Sequence, residues 1–355
     1  MKALVARLDS FGDVLLAGPA VRAVAAGAAR TTLLCGPRGA PAARMLPGVD
    51  DVVVWDAPWV GFEPPAVERA DVGAFVGRIA ADPPDVALIL TSFHQSPLPL
   101  ALLLRLAGVE RIAADSVDYP GALLDVRHRR GPRRHEAAAA LDLAEAAGFR
   151  LPEGDDGRLA VREPPGPLPE LGDASGYVVV HPGAAVPARR WSGDRCAAAV
   201  RALARAGYRV VVTGGPGERE LTAAVAGGVA LDLGGRTGPA ELAGVLARAA
   251  AVVVGNTGPA HLAAAVGTPV VCLFAPVVPA ERWAPYGVPH VLLGDERAPC
   301  AGSRARECPV PGHPCLNGVS PEDVLAAVEK LTGRTPGLEP GPAPAGRPER
   351  TERTP

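Results

Sequence analysis

Short apolar runs alternate along the chain with Ala-rich helical stretches, and this rhythm occurs twice. In the first half, apolar runs predict strands at residues 3–8, 31–35, 52–55 and 86–90, and helices are expected to begin near Asp13, Arg38, Ala66 and Pro97. In the second half, strands are predicted at 177–181, 209–213, 251–255 and 270–274, and helices at 192–205, 218–226, 239–249 and 259–266. Repeated βα units indicate an α/β fold with two mostly parallel, doubly wound sheets, each covered by helices on both faces.

A stretch rich in Gly, Pro and acidic residues separates the two repeats. It covers residues 151–175 and predicts an interdomain linker. We therefore expect an N-terminal domain over residues 1–160 and a C-terminal domain over 161–331. The run Ser320-Pro321-Glu322-Asp323 combines an N-cap, a proline and first-turn acids, which predicts a last helix to about residue 331. Residues 332–355 are mostly Pro, Gly and charged, and a disordered tail is expected there.

Length, composition and charge narrow the class of protein. A chain of 355 residues is long enough for two cores, and with only 4% aromatic residues those cores must be filled by Ala, Val and Leu. The net charge of -2 gives no general reason to bind nucleic acid. Arg7, Asp9 and Asp13 interrupt the first apolar run before a signal-peptide core could form, and no run is long enough to span a bilayer. A cytoplasmic location is therefore expected.

The turn after the first predicted strand is one candidate site, since ligands of open α/β sheets bind at the carboxyl ends of strands. Gly12 forms the turn, and Asp13 lies in the first turn of the next helix with its carboxylate toward the expected cleft. Asp13 either takes part in chemistry or is only a first-turn acid stabilised by the helix dipole. A dinucleotide cradle is excluded, because the G-x-G-x-x-G pattern requires glycines that this turn lacks.

A second candidate site follows the strand predicted at residues 251–255. There Asn256, Thr257 and Gly258 lead into a helix that begins at Pro259. Free N–H groups and the Thr257 hydroxyl would bind phosphate, Gly258 would let the backbone approach an anion closely, and His261 would donate a hydrogen bond to the same group. The alternative is an ordinary βαβ turn capped by Asn256.

Several loop motifs occur together in one order along the chain. They are Asp9-Ser10-Phe11-Gly12-Asp13, His181-Pro182-Gly183-Ala184-Ala185 with Arg189-Arg190-Trp191, Gly214-Gly215-Pro216-Gly217-Glu218, the segment from Gly255 to His261, and Arg282-Trp283-Ala284-Pro285-Tyr286-Gly287. In order and spacing, from about residue 1 to 331, they resemble bacterial heptosyltransferases of glycosyltransferase family 9. The resemblance implies a GT-B enzyme in which two Rossmann-like domains face a central cleft, with the acceptor bound by the first domain and the nucleotide sugar by the second.

The resemblance also implies an activity and roles for single residues. It implies an inverting, metal-independent transfer of a heptose or related sugar from ADP-heptose to a hydroxyl of a lipopolysaccharide core or another glycan, with no cofactor. Asp13 would be the general base. Arg189, which aligns better than Arg190, would replace the family's phosphate-binding lysine. A lipid-linked acceptor would bring the enzyme into peripheral contact with a membrane.

The chain departs from the family pattern at the donor site. Asn256 stands where many relatives have Asp, and Ala184 and Ala185 stand where hydroxyl residues often face the phosphates. Glu218 lies in the loop expected near the nucleoside ribose, although a first-turn helix acid explains it equally well. Two alternatives therefore stay open. One is a nucleotide-sugar epimerase of GT-B fold, which needs further carboxylates at the anomeric centre, and the other is a non-catalytic nucleotide-sugar-binding protein.

Two clusters have no assigned role. The densest basic run, residues 127–135, forms either a rim for a phosphorylated or carboxylated acceptor or a solvated loop. Cys300, Cys308 and Cys315 lie near His313 in sequence, but their spacing fits no standard zinc module. Reduced thiols are the preferred interpretation, since disulfides are not expected in a cytosolic chain of this size.

Overall fold

The chain forms two all-parallel sheets of six strands each, as the computed structural model of residues 1–166 and 168–333 shows. The N-terminal half carries the strands β1 (Lys2–Arg7), β2 (Arg30–Cys35), β3 (Asp51–Val54), β4 (Val86–Ile89), β5 (Arg111–Asp115) and β6 (Val126–His128). The C-terminal half carries β7 (Tyr177–His181), β8 (Val210–Val212), β9 (Leu231–Asp232), β10 (Ala249–Gly255), β11 (Val270–Leu273) and β12 (His290–Leu293). The predicted pair of parallel α/β sheets is confirmed.

Helices connect the strands and cover both sheets. The helices of the N-terminal half are α1 (Phe11–Leu16), α2 (Gly18–Gly27), α3 (Ala40–Met45), α4 (Arg69–Ala80), α5 (Leu98–Leu106) and α6 (Glu136–Ala146). Those of the C-terminal half are α7 (Gly193–Arg205), α8 (Arg219–Ala226), α9 (Pro239–Ala247), α10 (Gly258–Ala265), α11 (Ala280–Trp283), α12 (Pro314–Asn317) and α13 (Pro321–Thr332). Short 3₁₀ turns lie at Gly121–Leu123, Pro187–Arg189 and Pro216–Glu218.

Both sheets have the same topology. The strand orders are β3-β2-β1-β4-β5-β6 and β12-β11-β10-β7-β8-β9, so the first and fourth strands of each half lie side by side. The chain turns to opposite sides of the sheet at these central pairs, β1 with β4 and β7 with β10. In doubly wound sheets, ligands bind in the crevice beyond such a pair. The loops after β1, β4, β7 and β10 are therefore the positions where a site is expected on topology alone.

Seven elements were missed by the sequence pattern: the strands β5, β6, β9 and β12 and the helices α6, α11 and α12. Three of these strands are short and partly exposed, β5 has two Ala between charged ends, α6 consists largely of Ala, and α11 and α12 have only four residues each. The helix predicted from Asp13 begins earlier, at Phe11, and is broken before Gly18-Pro19 into α1 and α2. Ala alone carries too little contrast between apolar and polar positions to distinguish strand from helix.

The predicted linker packs onto both halves. Arg22 Nε pairs with Asp155 Oδ2 at 2.6 Å, and the Arg162 N–H donates to the Met45 carbonyl at 2.7 Å. Further along, Glu170 pairs with Arg236 of the C-terminal half at 2.6 Å. Asp155 and Arg162 thus tie the linker to the N-terminal half and Glu170 ties it to the C-terminal half, and the boundary at residue 160 stays a prediction. Most of the predicted tail, residues 334–355, lies outside the described residues.

The last helix is confirmed as α13, and its predicted cap forms. Ser320 Oγ accepts a hydrogen bond from the Asp323 N–H at 3.1 Å, and Asp323 Oδ2 accepts one from the Ser320 N–H at 2.8 Å. The helix packs on α7 and on strands of the second sheet. This reciprocal cap satisfies two backbone donors that the helix itself leaves open.

Replacing Ser320 tests the cap. Ser320→Ala is expected to lower the free energy of unfolding by about 1 kcal/mol, because a first-turn N–H loses its acceptor. Denaturant unfolding measures the change, and Ser320→Asp, which keeps a capping oxygen, serves as the control. Equal stability of Ser320→Ala and the wild type would show that the cap contributes nothing.

Candidate active site

The loops after β1 and β10 meet at two glycines. A Cβ atom added at Gly12 would lie 3.2 Å from the Gly258 Cα and 2.8 Å from the His261 ring, and one added at Gly258 would lie 3.0 Å from the Phe11 ring. These three distances are too short for a side chain to fit unless its neighbours move, so glycine at each position permits the close approach. The starts of α1 and α10 therefore touch, and the structure brings the predicted residues Gly12, Gly258 and His261 together with Asp13.

The Asp13 carboxylate is held at both oxygens. Oδ2 accepts hydrogen bonds from the Ser10 hydroxyl at 2.7 Å and the Ser10 N–H at 3.2 Å. Oδ1 accepts from Arg7 Nη2 at 3.2 Å and lies 3.5 Å from Trp283 Nε1 of the C-terminal half. The side chain is 18% exposed. Asp13 is thus oriented by its own turn, by β1 and by the other half of the chain.

Asp13 is ionised at neutral pH. Burial by itself raises the pKa of this carboxyl, but the charge of Arg7, the hydrogen bonds from Ser10 and the proximity of His261 together bring the pKa below its ordinary value. A helix dipole acts in the same direction at the start of α1. An oriented and partly exposed carboxylate of this kind can accept a proton from a hydroxyl as a bond forms at that oxygen.

Arg7 lies at the centre of a buried ion cluster that the sequence did not reveal. Its side chain is 3% exposed and pairs with Asp9 at 2.8 Å, with Asp13 at 3.2 Å and with Glu136 at 3.5 Å, and it donates to Ser92 Oγ at 2.8 Å. Removing one member would leave a buried charge without its partner, which is strongly unfavourable. The only sequence signal was an arginine at the end of an otherwise apolar strand.

The cluster continues to the outer strand of the sheet. Arg130 pairs with Glu136 and Asp115, each at 2.8 Å, and donates to the Thr91 carbonyl at 2.6 Å. Arg282 of the C-terminal half lies 3.7 Å from the same Glu136 carboxylate, whose side chain has no exposure. Part of the basic run at residues 127–135 is therefore a buried structural cluster and not a solvated loop.

The Asp9 carboxyl takes up a proton more readily than the Asp13 carboxyl. Burial raises the pKa of the Asp9 carboxyl to about 6, against the opposing effects of the Arg7 charge and a hydrogen bond from Gln95. Asp9 therefore takes up a proton at mildly acidic pH, whereas the lowered pKa keeps Asp13 ionised. Two carboxyls four residues apart thus have different proton affinities because their surroundings differ.

Arg189 faces the cleft from the loop after β7. Its Nη1 donates to the Asn256 carbonyl at 3.3 Å, while its buried Nε has no hydrogen-bond partner among the described residues. Burial lowers the pKa of Arg189, and the charge of Asp13 opposes that change, so the two groups influence each other across the cleft. Arg190 is more exposed and donates to the Ala184 carbonyl at 3.0 Å. Of the two arginines, Arg189 is the one with unused donor capacity inside the site.

The Asn256 side chain joins two loops of the C-terminal half. Its Nδ2 donates to the Ala275 carbonyl, and its Oδ1 accepts from the Ala275 N–H, both at 3.2 Å. Asn256 is buried, and this pair uses its amide in both directions. The side chain is therefore a structural link between the loops after β10 and β11, and the place of Asn256 in the substrate site stays a prediction.

The turn at Thr257 and Gly258 leaves a donor open. The Thr257 N–H and hydroxyl reach the Gly255 carbonyl at 2.8 and 3.4 Å, and the Ala260 N–H bonds to the Thr257 carbonyl at 3.1 Å. Pro259 has no N–H. The Gly258 N–H has no protein acceptor within the described part of the chain. An N–H at a helix start is suited to an anionic ligand.

His261 is buried beside Asp13 in neutral form. Burial lowers its pKa to about 4, helped by the charges of His135 and Arg189 and opposed by Asp13. Its Nδ1 has no hydrogen-bond partner in the described structure. A buried polar nitrogen without a partner costs free energy unless a ligand or water satisfies it. His261 is thus a buried polar group with an unused nitrogen beside the contact between Gly12 and Gly258.

The remaining predicted residues surround the end of β7. Glu218 Oε2 accepts from the Gly215 N–H at 2.8 Å, and a Cβ at Gly183 would lie 2.0 Å from Glu218 Oε1. Glu218 therefore caps its own turn and packs under the loop that carries Ala184 and Ala185. Ala184 is buried and Ala185 is exposed. The first-turn-acid interpretation of Glu218 describes its contacts in this structure.

Comparison with known protein families identifies the family to which this chain belongs. The profile described as Glycosyltransferase family 9 (heptosyltransferase) matches residues 113–313, more than half of the chain. The chain belongs to glycosyltransferase family 9. The protein is therefore a glycosyltransferase, as the loop motifs implied.

Solved structures of similar fold agree with the architecture. The glycosyl transferase family 9 protein of Veillonella parvula DSM 2008 is 19% identical and matches with a TM-score of 0.72 over 93% of this chain and 97% of its own. E. coli heptosyltransferase WaaC with ADP-2-deoxy-2-fluoro heptose is 21% identical and matches with a TM-score of 0.69 over 93% and 99%. At these identities the likeness shows the shared GT-B fold.

One curated relative carries a different name. Nicotinate-nucleotide–dimethylbenzimidazole phosphoribosyltransferase of Cereibacter sphaeroides strain KD131 is 29% identical over 284 residues, which cover 72% of this chain and 78% of that protein. Its name describes another group transfer, and identity at this level does not carry its activity to this family 9 chain.

The late cysteines of this family 9 protein are free thiols. Cys300 and Cys315 are buried and Cys308 is partly exposed. Burial, with Cys300 close by, raises the pKa of Cys315 to about 12, which favours the protonated thiol. Residues 1–166 and 168–333 contain no group of three or more His, Cys, Asp or Glu arranged to hold a metal ion.

His313, in the loop that carries these cysteines, contacts the other side of the site. Its Nε2 lies 3.1 Å from the Ala188 carbonyl, and it so supports the turn that carries Arg189.

The role of Asn256 can be tested by stability. Asn256→Asp is expected to lower the free energy of unfolding by about 2 kcal/mol or more at neutral pH, because the donor to Ala275 is lost and a charge is buried. Burial raises the folded-state pKa of the new carboxyl, so the loss exists above the ordinary Asp pKa and shrinks as the pH falls.

Asn317→Asp is the matched control. Asn317 also donates to a backbone carbonyl, that of Gly312, but it is more exposed. Its replacement should change the free energy of unfolding much less. If denaturant unfolding showed the same loss of stability in both variants, the contacts of Asn256 with Ala275 would not contribute more to stability than an ordinary exposed hydrogen bond.

Proposed function

We propose that this family 9 enzyme transfers a heptose or related sugar from ADP-heptose to a hydroxyl of a glycan acceptor, with inversion at the anomeric carbon. The loop motifs favour this substrate class, and a structural neighbour of the same fold is named with an ADP-heptose analogue. The observation that carries the proposal is the oriented Asp13 carboxylate at the start of α1, where the neighbouring Gly12 touches Gly258 and its open N–H at the start of α10.

Asp13 acts as the general base in this proposal. The acceptor hydroxyl approaches its Oδ1 or Oδ2, and the proton moves to the carboxylate as the hydroxyl oxygen attacks the anomeric carbon. The bond from that carbon to the diphosphate breaks at the same time, so the configuration inverts. A carboxylate of low pKa can take this proton because the hydroxyl becomes acidic only as the new bond forms.

The C-terminal half stabilises the leaving diphosphate. Arg189 supplies a positive charge and an unused Nε donor, the Gly258 N–H supplies a backbone donor, and the neutral His261 ring supplies a further polar nitrogen. Donors already in place where charge develops lower the barrier without reorganisation. In this scheme, arginine and helix-start groups take the role that a metal ion plays in other transferases.

A cavity lined mainly by the N-terminal half, with Arg306 from the C-terminal half, is the proposed acceptor site. Its volume is about 280 Å³, and it opens beyond the ends of β1, β2 and β3. Both signs of charge line it: Asp9, Asp56 and Glu63 with Arg38 and Arg306. Mixed charged groups around a polar cavity suit the hydroxyls of a sugar better than a strongly anionic group.

The proposal includes peripheral contact with a membrane through a lipid-linked acceptor. No helix within the described ranges is both long enough and apolar enough to cross a bilayer. Arg129 and Arg133 of the basic run are exposed, and Arg134 pairs with Asp142 at 2.7 Å. The exposed part of that run is where an anionic acceptor group would be met.

The epimerase alternative is less well supported. It requires free carboxylates beside Asp13, and the nearest ones, Asp9 and Glu136, are paired with arginines, Glu136 with no exposure at all. The non-catalytic alternative predicts nucleotide binding without transfer. Product analysis with and without acceptor separates all three.

Asp13→Asn tests the base. We expect kcat for nucleoside diphosphate release from ADP-heptose in the presence of acceptor to fall at least about 100-fold, with the affinity for ADP little changed. Glu322→Gln, which also neutralises a first-turn helix acid but lies in α13, should keep its activity. If the Asp13→Asn variant were fully active, Asp13 would not be the base, and its carboxylate would only stabilise the start of its helix.

Arg189→Gln and Arg190→Gln together test the phosphate donor. Replacement of Arg189 is expected to weaken ADP binding by about tenfold or more, because a charge-assisted hydrogen bond is lost, whereas replacement of Arg190 should change it by less than about threefold. Calorimetric titration with ADP gives both values. The opposite order would assign the phosphate to Arg190.

A further inference from the structure

A segment of the C-terminal half reaches across the cleft onto the N-terminal half. We define it as the docking segment, residues 280–287, which contains α11 and follows the loop after β11. The Ala284 carbonyl lies 3.0 Å from His135 Nε2, and the Tyr286 ring stacks on the His135 ring with centroids 4.6 Å apart. These two contacts fix the segment at the start of α6.

Arg282 brings a third positive charge to the buried ion cluster. Its Nη2 donates to the Pro132 carbonyl, its Nη1 lies 3.7 Å from Glu136 Oε1, and its guanidinium lies 4.5 Å above the Phe93 ring. The residue is 9% exposed. A buried arginine between a carboxylate and an aromatic face is held firmly, since both contacts strengthen away from water.

Trp283 brings a donor to the candidate base itself. Its Nε1 lies 3.5 Å from Asp13 Oδ1, the oxygen that also accepts from Arg7. The Phe93 ring lies 5.8 Å from the indole and supports it from the N-terminal half. At this distance the bond is weak, so its effect is to orient the carboxylate. The other oxygen is already fixed by Ser10.

We propose that Arg282 and Trp283 are positioning residues, through which the nucleotide-binding half completes the geometry of the Asp13 carboxylate in the acceptor-binding half. The inference rests on the proposed function for its meaning in catalysis. The contacts belong to opposite halves, so the carboxylate has all its donors only when the halves are together. The base would then be fully oriented only in the closed cleft, which limits reaction of the sugar with water.

Trp283→Phe tests the orienting contact, because it keeps the ring and removes the N–H. We expect kcat to fall by about threefold to tenfold, while KM for ADP-heptose stays within about twofold. Loss of a donor to a carboxylate favours its protonated form, so the acidic limb of the kcat profile should move to higher pH. Trp59→Phe, the same change at a tryptophan packed on Trp55 within the N-terminal half, should leave this limb in place.

Several other groups influence the titration of Asp13 and must be separated from it. They are Arg7, Asp9, His94, Arg189 and His261. Carbon-detected NMR of 13C-labelled carboxyl groups, with Asp13 assigned from the Asp13→Asn spectrum, follows the carboxyl directly. The Asp13 titration should move to higher pH in Trp283→Phe and stay unchanged in Trp59→Phe. This readout needs no substrate.

The two charge variants of Arg282 complete the test. Arg282→Lys keeps a positive charge beside Glu136 and should retain several times more of kcat than Arg282→Met, with thermal unfolding confirming that both are folded. If the wild-type enzyme transferred no sugar, the proposed function would be wrong. The NMR titration of Asp13 would still show whether Trp283 positions its carboxylate. If Trp283→Phe matched the wild type in the Asp13 titration and in kcat, the positioning role would be wrong.

Discussion

The guanidinium of Arg7 is buried and shared by three carboxylates, and the rest of the site depends on this arrangement. A charge removed from water is tolerated only with partners in good geometry, so Arg7 fixes the positions of Asp9, Asp13 and Glu136 together. These residues come from the end of β1, the start of α1 and the start of α6. The cluster therefore sets the relative positions of three elements, and it keeps the Asp13 carboxyl ionised in a place where burial would otherwise favour its neutral form.

The topology of the two sheets explains why the cleft residues converge. Each half has the same strand order, and its crevice opens beside the central pair of strands. Asp13 follows the first strand of one half, and the turn at Gly258 follows the fourth strand of the other. Glycine at positions 12 and 258 allows the two helix starts to touch. The halves thus bring the start of α1, which carries Asp13, against the start of α10, which carries the open Gly258 N–H.

Asn256 shows how a departure from a family pattern can have a structural reason. Its amide bonds to the N–H and the carbonyl of Ala275, and a carboxylate could satisfy only the N–H. Nothing in the local sequence connects positions 256 and 275. The Asn256 side chain therefore holds two loops together through contacts that an amide can make in both directions. The backbone carbonyl of Asn256 still accepts from Arg189 and keeps that arginine at the cleft.

The sequence by itself determined the features that depend on neighbouring residues. Apolar runs and turn residues predicted the two sheets, and the cap at Ser320 predicted the last helix. The order of the motifs indicated the loops in which Gly12, Asp13 and Gly258 lie. These follow from local chemistry, because a cap, a turn or a strand needs partners only a few residues away.

Only the tertiary structure decided which side chains hold the site together. Arg7 meets Glu136 across 129 positions, and Trp283 meets Asp13 across 270. The partner of a buried charge or amide is fixed by packing and desolvation in three dimensions, and no spacing along the chain records it. The same holds for Asp9 and Asp13, whose proton affinities differ because one is enclosed and the other is surrounded by donors.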